Sequence, residues 1–158
     1  MSDTPRTAQA ERVTKETTIS VTLDVDGGGT TDCRTGLPFF DHMLDQLGRH
    51  GGMDLTLHAD GDLEIDAHHT VEDTGIIVGE ALRQALGDKR GVRRFASIRV
   101  PLDEAVIEAV LDLSGRPYLH YDIDPPGVNI PSPPDSPAFD ASRPITSFST
   151  STIGPAAL

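Results

Sequence analysis

The string Asp66-Ala67-His68-His69-Thr70-Val71-Glu72-Asp73 opens an apolar run of helical period that continues through Leu86. On a helix, His68 and Glu72 are four apart and His69 and Glu72 are three apart, so each pair lies on adjacent parts of one face. The two neighbouring imidazoles diverge by about 100°. That places them poorly for sharing one ion and well for serving two. A dinuclear centre follows as an expectation, with imidazole and carboxylate ligands suited to Mn, Fe, Ni or Zn. A plain polar first turn is the competing reading, because acidic residues near a helix start are favoured by the helix dipole. The adjacent histidines, the spaced glutamate and further histidines upstream favour the metal.

A chain of 158 residues suits one domain with a single core. No apolar run approaches the roughly 20 residues of a membrane span. Residues 1–12 lack the apolar stretch of a secretory signal. Cys33 is the single cysteine, so no intrachain disulfide forms, which fits a reducing cytoplasm. A formal charge of −12 argues against a general nucleic-acid binder and is otherwise read as solubility. An anionic substrate would need a local cluster of arginines.

Residues 1–10 are small and polar and are expected to be disordered. Val13, Ile19, Val21, Leu23 and Val25 mark a strand, alternating from Ile19 onward. Gly27-Gly28-Gly29 lacks the spacing of a phosphate loop and reads as a hairpin turn, completed by a short strand over residues 31–34. Pro38 suits a helix first turn. Phe39, Met43, Leu44 and Leu47 share a face of that helix, which ends at Gly51-Gly52. His42 lies at the edge of that face.

Residues 53–58 alternate as a strand, and residues 59–62 form a turn. Leu63 and Ile65 begin another strand leading into the histidines. The second helix, residues 69–86, is expected to bury Val71, Ile76, Val78, Leu82 and Leu86, with Gly87 as its stop. Arg90, Arg93 and Arg94 then cluster, and both a solvated loop and an anion site fit them. Strands are expected over residues 98–102, 105–113 and 118–123. Five of the six histidines lie between His42 and His69, and His120 reads as a strand-surface residue.

Ile19-Ser20-Val21-Thr22-Leu23-Asp24-Val25-Asp26-Gly27 and Ile107-Glu108-Ala109-Val110-Leu111-Asp112-Leu113-Ser114-Gly115 share Ile, Leu, Asp and Gly in register. The offset of 88 predicts that a copy of the first unit begins near residue 95. Four units result: residues 1–10; an α+β half over 11–87; a partial second half over 88–124; and a Pro/Ser-rich tail over 125–158, expected to be disordered. The tail begins abruptly and holds no second His-His-x-x-Glu, which reads as a truncated or frameshifted second half.

Phe39-Phe40-Asp41-His42-Met43-Leu44-Asp45-Gln46-Leu47, Arg49-His50-Gly51-Gly52 and His68-His69-Thr70-Val71-Glu72-Asp73 resemble the imidazoleglycerol-phosphate dehydratase family. Thr14-Lys15-Glu16-Thr17, Arg94-Phe95-Ala96-Ser97 and Gly115-Arg116-Pro117-Tyr118 are similar to it as well, so the resemblance runs from about residue 11 to 126. It implies an α+β fold of duplicated halves, each a sheet covered on one side by two helices. It implies a cytoplasmic lyase of histidine biosynthesis, dehydrating imidazole glycerol phosphate to imidazole acetol phosphate. Two Mn(II) ions per site, a 24-subunit homo-oligomer and sites between subunits belong to the same expectation.

Motif by motif, the resemblance makes His42, His68, His69 and Glu72 metal ligands, and these also contact the substrate. Glu16 would contact the substrate and could move protons. Gln46, Arg94 and Arg116 would hold the phosphate, guanidinium groups being able to pair with it through two hydrogen bonds. His50 joins the substrate contacts, and Asp103 is a weaker candidate. Two other functions compete: a metal-binding remnant without catalysis, and a hydrolytic dinuclear metalloenzyme. The second leaves the remaining motifs unexplained.

Overall fold

The computed structural model describes residues 5–103 and 105–120. Six strands and two helices follow in the order β1 (Thr7–Val13), β2 (Thr17–Asp24), β3 (Thr31–Arg34), α1 (Pro38–Gly51), β4 (Asp54–Gly61), α2 (His68–Leu86), β5 (Phe95–Leu102) and β6 (Ala105–Asp112). The first four strands form one sheet in the order β1-β2-β4-β3, and β5 and β6 form a separate hairpin. The class is α+β, as expected.

Alternation in β2 and β4 decides which face of the sheet is covered. Thr17, Ile19, Val21 and Leu23 are buried while Thr18, Ser20 and Thr22 are exposed. Across the antiparallel register Val21 meets Leu57 and Leu23 meets Leu55. These four residues and Ile19 form one core with Leu44 of α1 and Ile77, Ala81 and Ala85 of α2. Both helices therefore lie on the same face, and the opposite face is lined by threonine, serine and His58. Full burial of each large aliphatic side chain contributes about 1.5–3 kcal/mol.

The structure corrects several local expectations. Residues 7–10 are not disordered: they begin β1, which pairs with β2 from Thr7 opposite Asp24 to Val13 opposite Thr18. Ala8 is buried, so small residues here fit a strand close under α2. Val13 thus ends β1, and the chain turns at residues 14–16 into β2, so Val13 does not share a strand with Ile19. β3 does not complete a hairpin with β2. It pairs parallel to β4, which sits between them. The reason is hydrophobicity: β4 brings Leu55 and Leu57 to the centre, whereas the polar Thr-Asp-Cys-Arg of β3 suits an edge.

The strand expected at Leu63 and Ile65 is a turn, with Leu63 N–H donating to the Gly61 carbonyl and Ile65 N–H to that of Asp62. β4 instead runs on to Gly61. Residues 117–120 are irregular rather than a strand; the rest of that expectation, and the tail over 125–158, lie outside the described residues.

Helix faces also differ from the expectation. α1 packs through Phe40, Leu44 and Gly48, while Phe39 is 76% exposed and Met43 and Leu47 are also exposed. α2 buries Thr70, Asp73, Thr74, Ile77, Ala81 and Ala85, while Val71, Ile76, Val78, Leu82 and Leu86 are half-buried beside them. Small residues on this seam let α2 approach the sheet closely. Gly61 shows the closeness: a Cβ there would collide with the Thr70 hydroxyl.

The repeat is structural. Adding 88 to the bounds of β2 gives those of β6, and Thr7 opposite Asp24 becomes Phe95 opposite Asp112. β5–β6 therefore repeats the β1–β2 hairpin in register. No helix covers it among the described residues, and Ile98, Val100, Ile107 and Leu111 are exposed.

Candidate functional site at the start of the second helix

α2 begins where β4 ends, so the sheet delivers His68 and His69 to one edge of the molecule. Ala67, at the N-cap, offers no side-chain acceptor. Asp66 supplies it, its carboxylate accepting the His68 N–H at 2.7 Å. One orphan donor of the first turn is thereby satisfied, and a negative charge sits at the positive end of the helix dipole.

The two imidazoles lie edge to face, with ring centroids 5.5 Å apart and planes at 67°. His68 Nε2 lies 3.4 Å from Glu72 Oε2, one turn along the helix. His69 Nδ1 lies 3.0 Å from Asp62 Oδ2, in the turn after β4. The Asp62 N–H in turn donates to the Glu16 carbonyl at 3.1 Å, which joins the β1–β2 turn to the same edge.

The Asp62 hydrogen bond, against a smaller opposing effect of burial, holds His69 above the ordinary imidazole pKa, and the nearby charges of Asp62, Glu16 and Asp66 add to this. A raised pKa makes the interaction stabilising in full below about pH 6.5 and lost as pH rises through the folded value. Asp62→Ala is therefore expected to lower the His69 midpoint in a metal-free NMR titration. An unchanged midpoint would show that the carboxylate does not set it.

Asp73 is the buried centre of a second cluster. It accepts from Arg12 Nε at 2.7 Å and from the Thr17 hydroxyl at 2.5 Å, with the Thr14 hydroxyl at 3.4 Å. Burial pushes its pKa up, but the bonds from Thr17 and Arg12 and the Arg12 charge outweigh this and hold it below the usual carboxylate value.

The remaining sequence-derived residues are spread over other elements. His42 and His50 are exposed on α1, and His50 Nε2 lies 2.8 Å from Gln46 Oε1. Arg94 is engaged by Asp112 through two bonds of 2.7 and 3.1 Å, so a phosphate there would have to share or displace a carboxylate. Arg90 pairs with Asp88 at 2.9 Å. Arg116 and Asp103 are exposed, and Asp103 has a positive φ of 49°.

Among the described residues no three His, Cys, Asp or Glu side chains are grouped so as to hold a metal ion. His68 with Glu72 is brought together, and His42 forms no group of three donors with them. Asp62 and Asp73 were given no role by the sequence. Asp73 stood inside the motif, but only its depth in the fold reveals its partners. Cys33 is half-buried, which pushes its thiol up to about 11, with Asp45, Asp41 and Asp32 adding to the effect. No described helix is long and apolar enough to cross a membrane.

These features define a class: an α+β half-unit with two helices on one face of its sheet and imidazole and carboxylate groups at the second helix start. Comparison with known proteins names it. A sequence model of imidazoleglycerol-phosphate dehydratase matches residues 35–133. The dehydratase of Corynebacterium efficiens is 58% identical over 125 residues, 79% of this chain and 62% of the relative. That of Parafrankia sp. is 62% identical over 113 residues, 72% of this chain and 58% of the relative. The crystal structure of the Staphylococcus aureus dehydratase superposes with a TM-score of 0.62 at 30% identity, covering 77% of this chain and 68% of that one. The Pyrococcus furiosus enzyme in complex with (S)-C348 gives 0.59 at 34% identity, covering 72% and 60%. The chain belongs to the imidazoleglycerol-phosphate dehydratase family. It spans roughly three fifths of the length of these curated relatives (62% and 58%).

Proposed function

We propose that this chain carries the first-half share of a dehydratase site converting imidazole glycerol phosphate to imidazole acetol phosphate in histidine biosynthesis. The observation that carries the reading is the α2 first turn, where His68 faces Glu72 and His69 faces Asp62 inside the matched region. The donor set is imidazole and carboxylate, which suits Mn(II). His42, His68, His69 and Glu72 would hold the metal, two ions per complete site, with further ligands from another half or subunit.

A bound metal would favour the deprotonated, electron-rich form of the substrate's ring, which can help expel the neighbouring hydroxyl. The chain's own residues do the rest. Glu16 is tied to the Asp62 backbone and lies within electrostatic reach of His69, which suits it to hold and pass a proton beside the ring. Arg94 and Arg116 would bind the phosphate, with Gln46 and His50 contributing hydrogen bonds. The location would be cytoplasmic and the assembly a 24-subunit homo-oligomer with sites between subunits.

A second reading, metal binding without turnover, is favoured by one observation: the chain holds a single His-His-x-x-Glu, and no three donors group among the described residues. Calorimetry with Mn(II) tests the shared part of both readings. Weak binding is expected, since stable sites need three or four protein ligands per ion, and His68→Ala should abolish it. Two tight sites per chain, or binding indifferent to His68→Ala, would contradict the proposal.

A further inference from the structure

We infer that Asp73 is a positioning residue that fixes the Glu16 turn against the first turn of α2, and so sets the geometry between Glu16 and the histidines. The inference rests on the reading of Glu16, His68 and His69 as site residues. Its physical basis is independent of any metal. Asp73 follows Glu72 directly on α2, and the residue is 7% exposed. Beneath it lie three side chains that bracket Glu16 in sequence: Arg12, Thr14 and Thr17.

The chain of contacts runs from carboxylate to backbone. The Thr17 hydroxyl, itself buried, lies 2.5 Å from Asp73 Oδ2, and the Thr14 hydroxyl lies 3.1 Å from that of Thr17. The Thr14 oxygen then accepts the backbone N–H of Thr17 at 2.9 Å and that of Glu16 at 3.2 Å. The turn closes with Thr14 N–H donating to the Thr17 carbonyl at 2.9 Å. From its other side, the Glu16 carbonyl accepts the Asp62 N–H. Glu16 thus sits on a turn whose hydroxyls are oriented by one buried charge on the helix that carries His68, His69 and Glu72. A buried charge is stable there only with such partners, so helix and turn are obliged to meet in one arrangement. Arg12 balances the charge from the other carboxylate oxygen, Oδ1.

Asp73→Asn keeps the shape and removes the charge. Amide hydrogen exchange, followed by NMR on the metal-free chain, is expected to accelerate at least ~tenfold at Glu16, Thr17 and Asp62. Exchange at Leu57 and Val21 in the core should stay at the wild-type rate. Thr17→Val should reproduce the local effect, and Thr17→Ser, which keeps the hydroxyl, should restore protection. If Asp73→Asn fails to fold, the Thr17 pair supplies the same comparison. Wild-type exchange at Glu16 and Thr17 in the folded variant would overturn the inference, as would acceleration that rises equally at Leu57. Mn(II) added to the wild-type chain separates this from the functional reading. Absence of paramagnetic broadening at His68 would overturn the site assignment, while the exchange result would still decide the role of Asp73.

Discussion

Expressed alone, the 158-residue chain is expected to dehydrate imidazole glycerol phosphate at least ~100-fold more slowly than the relatives of which it spans about three fifths. A catalytic geometry displaced by about 1 Å can cost a factor of this order. Here the displacement follows from ligand count. Four candidate ligands, His42, His68, His69 and Glu72, would serve two ions, and no three of them group within the chain. Water would complete each coordination shell and loosen each ion. Arg94 is also engaged by Asp112, so a phosphate bound there would have to compete with that carboxylate. Turnover by purified protein, with Mn(II) in excess, measures this directly. A rate within tenfold of such a relative would mean that copies of this chain complete each other's sites.

Leu57→Ala is expected to cost about 3 kcal/mol of stability, within the range for large-to-small core changes. Leu57 has no exposed surface and lies opposite Val21 on the central strand β4, in the core that both helices cover. Neither neighbouring strand can close the gap without losing its ladder. In a unit of this size the melting temperature should fall by roughly 10–20 °C. Phe39→Ala, on the exposed strip of α1, should change it by little more than the error of the measurement. Equal losses would show that the α1 faces have been assigned the wrong way round.

The contrast between those two residues also shows what the sequence could reveal. Period-2 alternation fixed β2 and β4, because a strand has two faces and one residue's shift inverts them. Helix existence was equally clear, from Pro38 and from the run after His69. Which strip of a helix meets the sheet was not. Leu44 packs as its place on the expected face requires, but Phe39, Met43 and Leu47 are exposed, and Phe40 and Gly48 pack beside Leu44 instead. The partner of β3 was hidden too: Gly27-Gly28-Gly29 announces a turn but not what enters beside it.

In the site, i,i+4 spacing foretold the His68–Glu72 pair, since both ends lie on one helix. The Asp62–His69 and Asp73–Thr17 contacts join elements distant in sequence, and no local pattern encodes them. The 88-residue repeat was legible because residue identities recur, and the two hairpins share register as well as sequence.

The central proposal is that the first turn of α2 would hold a metal ion. Two-dimensional NMR of the wild-type protein during titration with Mn(II) locates the ion without need of turnover. Broadening is expected first at His68, His69 and Glu72, then at Glu16 and Asp62, with the β5–β6 hairpin unaffected. Broadening centred on other acidic residues, such as Asp24, Asp26 and Asp54, with His68 and His69 still sharp, would contradict it.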